Sequence, residues 1–243
     1  MRQPADWIVA DWPAPKNVRT LVTTRHGGVS TGPYASMNLG AFLADDVQTV
    51  KANRSILRRH LPAEPKWLRQ IHGTDVIDAD ATQGLVLADA SVARKANTVC
   101  AITTADCIPV LFCNQTGTVV AAAHAGWRGL CAGVLENTVQ AMECKTAEVL
   151  AYFGPAIGPR SFEVGAEVRE AFLLRDALAA SAFREKADGK FLADIYELAR
   201  QRLRKAGVTQ FFGAGFCTYE DARFFSHRRD GVTGRMASLI WRE

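Results

Sequence analysis

A cysteine and a histidine, Cys107 and His124, stand at the two open ends of one predicted hairpin. The apolar runs 108–113 and 118–123 flank an Asn-Gln-Thr-Gly sequence, and short β-rich runs around such a turn predict a β-hairpin. A turn centred just after Gln115 would place the cysteine directly opposite the histidine. Opposed residues have Cβ atoms about 5 Å apart. This separation suits a thiolate and an imidazole that share a metal ion or a proton.

The residues beside this pair add chemical groups. Asp106 precedes Cys107 and could orient a metal-bound histidine or a water molecule. After His124 comes a Gly-Trp-Arg-Gly turn at 126–129, and the N–H groups of a helix that starts there would favour an anion. The alternative is a buried hairpin with a core cysteine and a hydrogen-bonded core histidine, since cysteine is among the most buried residue types. The facing pair beside a glycine turn favours a functional site.

Hydrophobic spacing and turn residues predict the elements that must position this pair. Predicted strands besides the hairpin cover 18–24, 66–71, 149–153, 208–213, 223–230 and 234–241. Predicted helices cover about 47–61, 130–144, 166–180 and 191–206. Strands outnumber helices and occur both in hairpins and with crossovers. The pattern therefore predicts an α+β fold with mixed sheets, as a single domain over residues 1–243.

Composition excludes several classes of protein. The chain has 243 residues, of which 48% are hydrophobic and 22% charged, and a net charge of +4, too mild to indicate a nucleic-acid partner. No apolar run reaches the ~20 residues of a membrane span. The N-terminus lacks the apolar core of a signal peptide, so we expect a cytoplasmic protein that binds a small molecule, with no membrane partner. Six cysteines without a Cys-x-x-Cys pair indicate free thiols rather than a disulfide framework.

A series of motifs in a fixed order covers nearly the whole chain. The motifs are Thr24-Arg-His-Gly-Gly-Val-Ser30, Asn38-Leu-Gly40, Gln70-Ile-His-Gly73, Thr104-Ala-Asp-Cys-Ile-Pro109, His124-Ala-Gly-Trp-Arg-Gly129, Gly154-Pro-Ala-Ile-Gly-Pro159, Cys217-Thr218 and Phe224-Phe-Ser-His-Arg-Arg229. In these motifs the chain closely resembles the YfiH family, which has long been labelled laccase-like polyphenol oxidase. That family is also described as purine nucleoside phosphorylases and peptidoglycan editing factors.

The resemblance implies a fold, a metal site and an activity. The fold is a four-layer α/β/β/α sandwich, similar in its core to a bacterial toxin deamidase with a Cys-His pair. The metal, usually zinc, would be held by His72, Cys107 and His124, which would also be the catalytic residues. The implied activity is purine nucleoside phosphorylase on adenosine, inosine and methylthioadenosine, with adenosine deamination beside it. His227 stands where the family often has an aromatic residue.

Three protein ligands leave one zinc position open, which is the arrangement of catalytic rather than structural zinc. Such a zinc could polarise a purine or lower the pKa of a bound water to about 7. Phosphate would then need cations, and arginine binds it with two parallel hydrogen bonds. The candidate substrate-binding residues are Arg25, Asn38, Arg128, Arg228 and Arg229. The His-x-Glu and Pro-Cys-x-x-Cys signature of zinc nucleobase deaminases is absent.

Three other functions remain open at this point. Cys107 could be the nucleophile and His124 the base of a metal-independent hydrolase or amidase that edits peptidoglycan precursors. Two histidines and one cysteine also suit copper, as in a laccase-like polyphenol oxidase, although five histidines are few for a multicopper enzyme. The site could also belong to a metal-dependent binding module.

Overall fold

The structure, a computed structural model, describes residues 6–243. Its strands are β1 (Val18–Val22), β2 (Leu68–Arg69), β3 (Val76–Asp78), β4 (Val86–Leu87), β5 (Ala90–Ala93), β6 (Cys100–Thr104), β7 (Ile108–Asn114), β8 (Val120–Ala125), β9 (Val149–Phe153), β10 (Glu163–Val164), β11 (Phe183–Glu185), β12 (Phe191–Ala193), β13 (Gln210–Gly213) and β14 (Met236–Arg242). Its α-helices are α1 (Val47–Arg58), α2 (Trp127–Ala132), α3 (Val134–Ala141), α4 (Ala166–Leu173), α5 (Ile195–Lys205) and α6 (His227–Asp230).

Two stacked sheets form the centre of the fold. The larger is mixed and has the order β13-β9-β7-β8-β5-β3. The smaller is antiparallel, with β14 between β1 and β6. The short strands β10, β12 and β11 form a third sheet, and β2 pairs with β4. The hairpin β7–β8 therefore lies in the middle of the larger sheet, as its unbroken burial requires.

Alternation along β7 shows how the layers stack. Val110 and Phe112 share one apolar core with residues of α2, α3, α4 and α5. Leu111, which points to the other face, shares a second core with Ile102 of β6 and Ile240 of β14. The far face of the smaller sheet packs on α1 in a third core. The order is helices, sheet, sheet, helix, so the predicted α/β/β/α sandwich is confirmed.

Local capping explains where several elements begin. Helix α1 starts after Asp46, whose side chain accepts a hydrogen bond from the Thr49 amide at 2.8 Å. It ends at Arg58, three residues before the predicted end. The predicted helix over 130–144 starts earlier, at Trp127, and Gly133, with φ of 113°, divides it into α2 and α3. A left-handed glycine of this kind ends one helix and turns the chain into the next.

Three predicted elements are wrong. The helix expected over 166–180 ends at Leu173, and Asp176 then caps a separate 3-10 helix over Ala177–Ala182. The helix expected from Phe191 begins only at Ile195, because Asp194 caps it and the preceding residues pair as β12 with β10 and β11. The strand expected over 223–230 is instead a loop and the short helix α6, which Ser226 caps by accepting a hydrogen bond from the Arg229 amide. In all three places a capping side chain starts a helix where the sequence pattern predicted another arrangement.

Within residues 6–243, no helix is both long enough and apolar enough to span a membrane.

Candidate metal centre

The hairpin places His124 and Cys107 together, although in a different register from the predicted one. His124 of β8 pairs with Pro109, and Ala125 pairs with Ile108. The Asn114 side chain accepts hydrogen bonds from the backbone amides of Thr118 and Val119, and Gly117 has a left-handed φ of 66°. The turn is therefore centred later than predicted. This shift by two residues preserves the face on which each side chain stands. Cys107 therefore still lies on the same side of the sheet as His124.

His72 completes a group of three candidate ligands. The ligand atoms of His72, Cys107 and His124 all lie within 4.8 Å of one another, and the two imidazole centroids are 4.7 Å apart. Donor atoms around a tetrahedral zinc lie about 3.5 Å apart, so small side-chain shifts would close the group on an ion. Two imidazoles and one thiolate fit zinc and also suit copper. This is the group that the sequence indicated as the metal site.

A carboxylate that the sequence interpretation missed holds this group. Asp89, fully buried at the start of β5, lies 2.7 Å from His124 Nδ1. Its oxygens also accept hydrogen bonds from the backbone amides of Ile71, His72 and Gly73, at 3.1, 3.0 and 2.7 Å. With Nδ1 engaged, Nε2 is the His124 nitrogen left for a metal ion. One carboxylate thus supports both candidate imidazole ligands.

The two imidazoles have opposite electrostatic environments. Burial and the neighbouring His124 lower the pKa of His72 below its usual value. Burial also lowers the pKa of His124, but the neighbouring Cys107 and the hydrogen bond to Asp89 outweigh this effect and raise that pKa to about 9. Without a metal ion, a proton on His124 therefore lies beside the Asp89 carboxylate.

Gly126 leaves the room in which the ligands meet. A Cβ atom at this position would overlap His72 Nδ1 and would lie only 3.1 Å from Cys107 Sγ. The glycine of the Gly-Trp-Arg-Gly motif is therefore required by the close approach of two side chains, and it also precedes the first residue of α2.

Replacing Gly126 with alanine is expected to weaken zinc binding by about 10- to 100-fold, because the methyl group displaces two candidate ligands without removing either. Competition with a chromophoric chelator measures this affinity. Gly73→Ala is the matched control, since a Cβ there meets only ordinary contacts from 3.5 Å. Equal zinc affinities for the two variants would contradict this account of Gly126.

Asp106 fixes the cysteine rather than a histidine. Its carboxylate accepts hydrogen bonds from Thr218 Oγ1 and from the Arg228 backbone amide, both at 2.6 Å. Its backbone has a left-handed φ of 87°, and its carbonyl accepts the Ile157 amide. Within residues 6–243 the Asp106 carboxylate therefore contacts Thr218 and Arg228 rather than an imidazole, while its predicted alternative role of orienting a water molecule stays a prediction. The residue ties the Cys107 turn to the segment that leads into α6.

A cavity of about 460 Å³ opens over the three candidate ligands. Three arginines line it, Arg54, Arg128 and Arg235, and within residues 6–243 none of them forms an ion pair with a carboxylate. Burial lowers the pKa of Arg54 to about 10 and lowers that of Arg235 below its usual value. Arg54 donates to the Leu39 carbonyl and Arg235 to the Thr233 and Gly234 carbonyls, contacts that satisfy N–H groups without neutralising the charges. A bound anion would supply the missing negative charge.

The remaining predicted substrate-binding residues make contacts outside this cavity lining. Arg25 donates to the Ala35 carbonyl and lies 4.0 Å from Asp230. Arg228 donates to the Glu163 carbonyl, and Arg229 pairs with Asp230. Their guanidinium groups hold loops together, and neither Arg228 nor Arg229 is among the residues that line the cavity.

Asn38 contacts the cavity indirectly, because its Oδ1 accepts the Arg235 backbone amide at 3.0 Å. Of the five predicted substrate-binding residues, Arg128 is the one whose side chain lines the cavity. His227 lies at its rim.

All six cysteines are free thiols in the structure. Burial raises the pKa of Cys100 and of Cys113 to about 12, which makes both thiols inert packing groups. Cys107 is half-buried at the cavity and belongs to the ligand group.

Known proteins match this chain along almost its full length. Residues 19–243 match the family described as multi-copper polyphenol oxidoreductase laccase. The purine nucleoside phosphorylase YfiH of Shigella flexneri is 57% identical over 96% of this chain and 98% of its own. The purine nucleoside phosphorylase PA4543 of Pseudomonas aeruginosa is 54% identical, covering 97% and 98%. A crystal structure of the Neisseria meningitidis protein NMB0706 has 52% identity and a TM-score of 0.95, covering 98% and 99%.

A four-layer sandwich that gathers two imidazoles and a thiolate at the open end of its central hairpin is a YfiH-like fold. The chain belongs to the multi-copper polyphenol oxidoreductase laccase family, among relatives named YfiH. The resemblance seen in the sequence motifs is confirmed.

Proposed function

We propose that this chain is a zinc-dependent purine nucleoside phosphorylase that acts on adenosine, inosine and methylthioadenosine. Relatives from Shigella flexneri and Pseudomonas aeruginosa carry the name of this enzyme. The observation that carries the proposal is the convergence of three arginines, none with a carboxylate partner in residues 6–243, on the cavity of the three candidate metal ligands. Such a cavity suits an oxyanion next to a Lewis acid.

Phosphorolysis needs both parts of this cavity. A phosphate oxygen bonds to C1′ of the ribose while the bond from C1′ to the purine nitrogen breaks, and the base leaves with that electron pair. The phosphate dianion must be held beside the developing ribosyl cation. Arg54, Arg128 and Arg235 bind it through charge-assisted hydrogen bonds. Asn38 contributes by holding the Arg235 backbone.

The metal would be held by His72, Cys107 and His124, and zinc there supplies a Lewis acid that polarises the purine or a water molecule. The chain itself orients the ligands: Asp89 holds one ring and one backbone turn, while Asp106 holds the turn that carries the cysteine. We propose that the metal bound by these three residues is zinc rather than copper. Adenosine deamination would be a side activity in the same cavity. The substrate would be a small molecule, and we expect the protein in the cytoplasm.

The test measures purine release from adenosine, inosine and methylthioadenosine with and without inorganic phosphate. We expect product only with phosphate, together with one equivalent of the ribosyl phosphate. Chelation is expected to abolish turnover, and added zinc should restore it. Product formed without phosphate, or turnover that persists after the metal is removed, would contradict the phosphorylase.

One observation favours a second candidate, the Cys-His hydrolase or amidase acting on a cell-wall precursor. The order Cys107, His124, Asp89 places a nucleophile, a base and the carboxylate that orients the base in one row. Such an enzyme would ignore phosphate, would work without metal and would form an acyl intermediate on Cys107. Mass spectrometry of the protein after incubation with a cell-wall peptide, under chelation, detects that intermediate.

A further inference from the structure

Asp89 differs from the other carboxylates near the cavity in what it contacts. It is completely buried, and its Oδ1 is 2.7 Å from His124 Nδ1 and accepts the His72 amide at 3.0 Å. Its Oδ2 accepts the Gly73 and Ile71 amides at 2.7 and 3.1 Å. The backbone carbonyl of Asp89 also accepts the His124 amide at 2.7 Å. Both oxygens of the side chain are therefore used to hold the two histidine-bearing segments.

The three amides come from a strained turn. His72 has φ of 59°, in the left-handed region that residues other than glycine rarely adopt. Three consecutive N–H groups that converge on one carboxylate form an anion-binding concavity of the kind that stabilises such a turn. The negative charge of Asp89 thus keeps His72 in a conformation that the isolated peptide avoids.

The same charge fixes the other ring. A carboxylate at Nδ1 selects the His124 tautomer, or the protonated ring, in which Nε2 faces the cavity. Donors from both histidine-bearing segments therefore surround the Asp89 carboxylate: the His124 ring on one side and the amides of Ile71, His72 and Gly73 on the other.

We infer that Asp89 is a positioning residue that couples the two imidazole ligands of the metal site, so that His72 and His124 are held or released together. This inference rests on the proposed metal function. It differs from an ordinary carboxylate–histidine pair, because the same carboxylate also shapes the backbone of the second ligand. Replacing either oxygen of this group therefore removes an acceptor from at least one of the two histidine-bearing segments.

Asp89→Asn is the informative variant because it changes one oxygen to an NH₂ group at nearly constant volume. The amide side chain can accept hydrogen bonds through its one remaining oxygen only. In one orientation the backbone amides of Ile71 and Gly73 lose their acceptor and face the new NH₂ group. In the other orientation the His124 ring and the His72 amide lose theirs. Both orientations therefore disturb the ligand group.

The first measurement is zinc affinity by competition with a chromophoric chelator. Outer-shell changes commonly cost 10- to 100-fold in metal affinity, and we expect about 100-fold or more here because two ligands are affected. In the cobalt(II)-substituted protein, the thiolate charge-transfer band of Cys107 should persist while the d–d bands change. Zinc affinity within about threefold of the unsubstituted protein would overturn the inference.

Asp80→Asn is the matched control. Asp80 also accepts two backbone amides, those of Arg94 and Lys95 at 2.7 and 3.0 Å, but it lies at the other end of the β3–β5 region and contacts no histidine. We expect this variant to lose some thermal stability and to keep zinc affinity and the cobalt spectrum. An equal loss of zinc affinity in both variants would reduce Asp89 to a structural role.

The second measurement needs no metal. Hydrogen exchange of the amides of residues 71–73 in the metal-free protein should accelerate by at least about tenfold in Asp89→Asn, since a lost acceptor of about 1.5 kcal/mol corresponds to that factor. If the unsubstituted protein binds no zinc, the metal proposal fails, and this exchange experiment still decides whether Asp89 holds the turn. Unchanged exchange at these amides would overturn the inference.

Discussion

Replacing Arg128 with alanine is expected to raise the KM for phosphate by about 10- to 150-fold, because a hydrogen bond to a charged group contributes about 1.5–3 kcal/mol. Arg235→Ala should have an effect of the same size. Both side chains line the cavity over the candidate metal ligands, and within residues 6–243 neither forms an ion pair that competes for the guanidinium group. Steady-state kinetics with phosphate as the varied substrate measure both constants.

Arg169→Ala is the matched control for Arg128→Ala. Each arginine lies over an aromatic ring, Arg128 over Trp127 at 4.4 Å and Arg169 over Phe191 at 5.1 Å, but Arg169 does not line the cavity. The control removes an equal charge and a similar stacking contact, and the KM for phosphate should stay within about twofold. A similar rise in both variants would mean that net charge, rather than the cavity, determines phosphate binding.

Replacing Cys107 with alanine is expected to lower turnover by more than about 100-fold, since loss of a ligand should exceed the 10- to 100-fold cost of an outer-shell change. Zinc content of the purified protein should fall with it. The fold should persist, because Cys107 is only half-buried and its side chain is small. Activity assays, elemental analysis and thermal unfolding on one preparation test all three parts.

Cys144→Ala serves as the control, because Cys144 is also half-buried and free but lies outside the ligand group. We expect it to keep both zinc and activity. A fully active Cys107→Ala variant would exclude the zinc phosphorylase and the Cys-His hydrolase together, since both mechanisms use this sulfur.

Sequence reasoning located two of the three candidate ligands, Cys107 and His124, because they carry strong local signals. Cys107 and His124 flank a hairpin with an evident turn, and an error of two residues in register did not matter, since side chains alternate with a period of two. An error of one residue would have sent the pair to opposite faces. His72 became a ligand only through the family resemblance, because a histidine before a glycine has no distinctive pattern.

The supporting residues were harder to find. Arg54 is hard to single out from the sequence, since α1 carries two arginines and helical spacing does not show which one faces a loop. Arg235 lies far from the ligands in the chain. Asp89 did leave a signal: an acidic residue inside the apolar run Leu87-Ala-Asp-Ala90 is costly to bury without partners. Burial of such a residue implies that donors surround it.

Copper oxidation, which the family description suggests, finds limited support in the described residues. Residues 6–243 contain one group of three candidate ligands, His72, Cys107 and His124. Multicopper chemistry needs several metal sites. The donor set can hold copper, but a single such group does not provide the chain of centres along which electrons would pass to oxygen.

The pairing of β6 has a consequence for how the enzyme matures. This strand leads directly to Cys107, and its neighbour in the smaller sheet is β14, which follows much later in the chain. During synthesis on the ribosome, the segment that carries the cysteine therefore lacks its sheet partner until β14 has emerged. Because contacts between distant segments form slowly, the strand that leads to Cys107 is fixed only after β14 has paired with it. The cysteine therefore reaches its final position late, and a polypeptide that ends before β14 would lack this constraint on the cysteine turn.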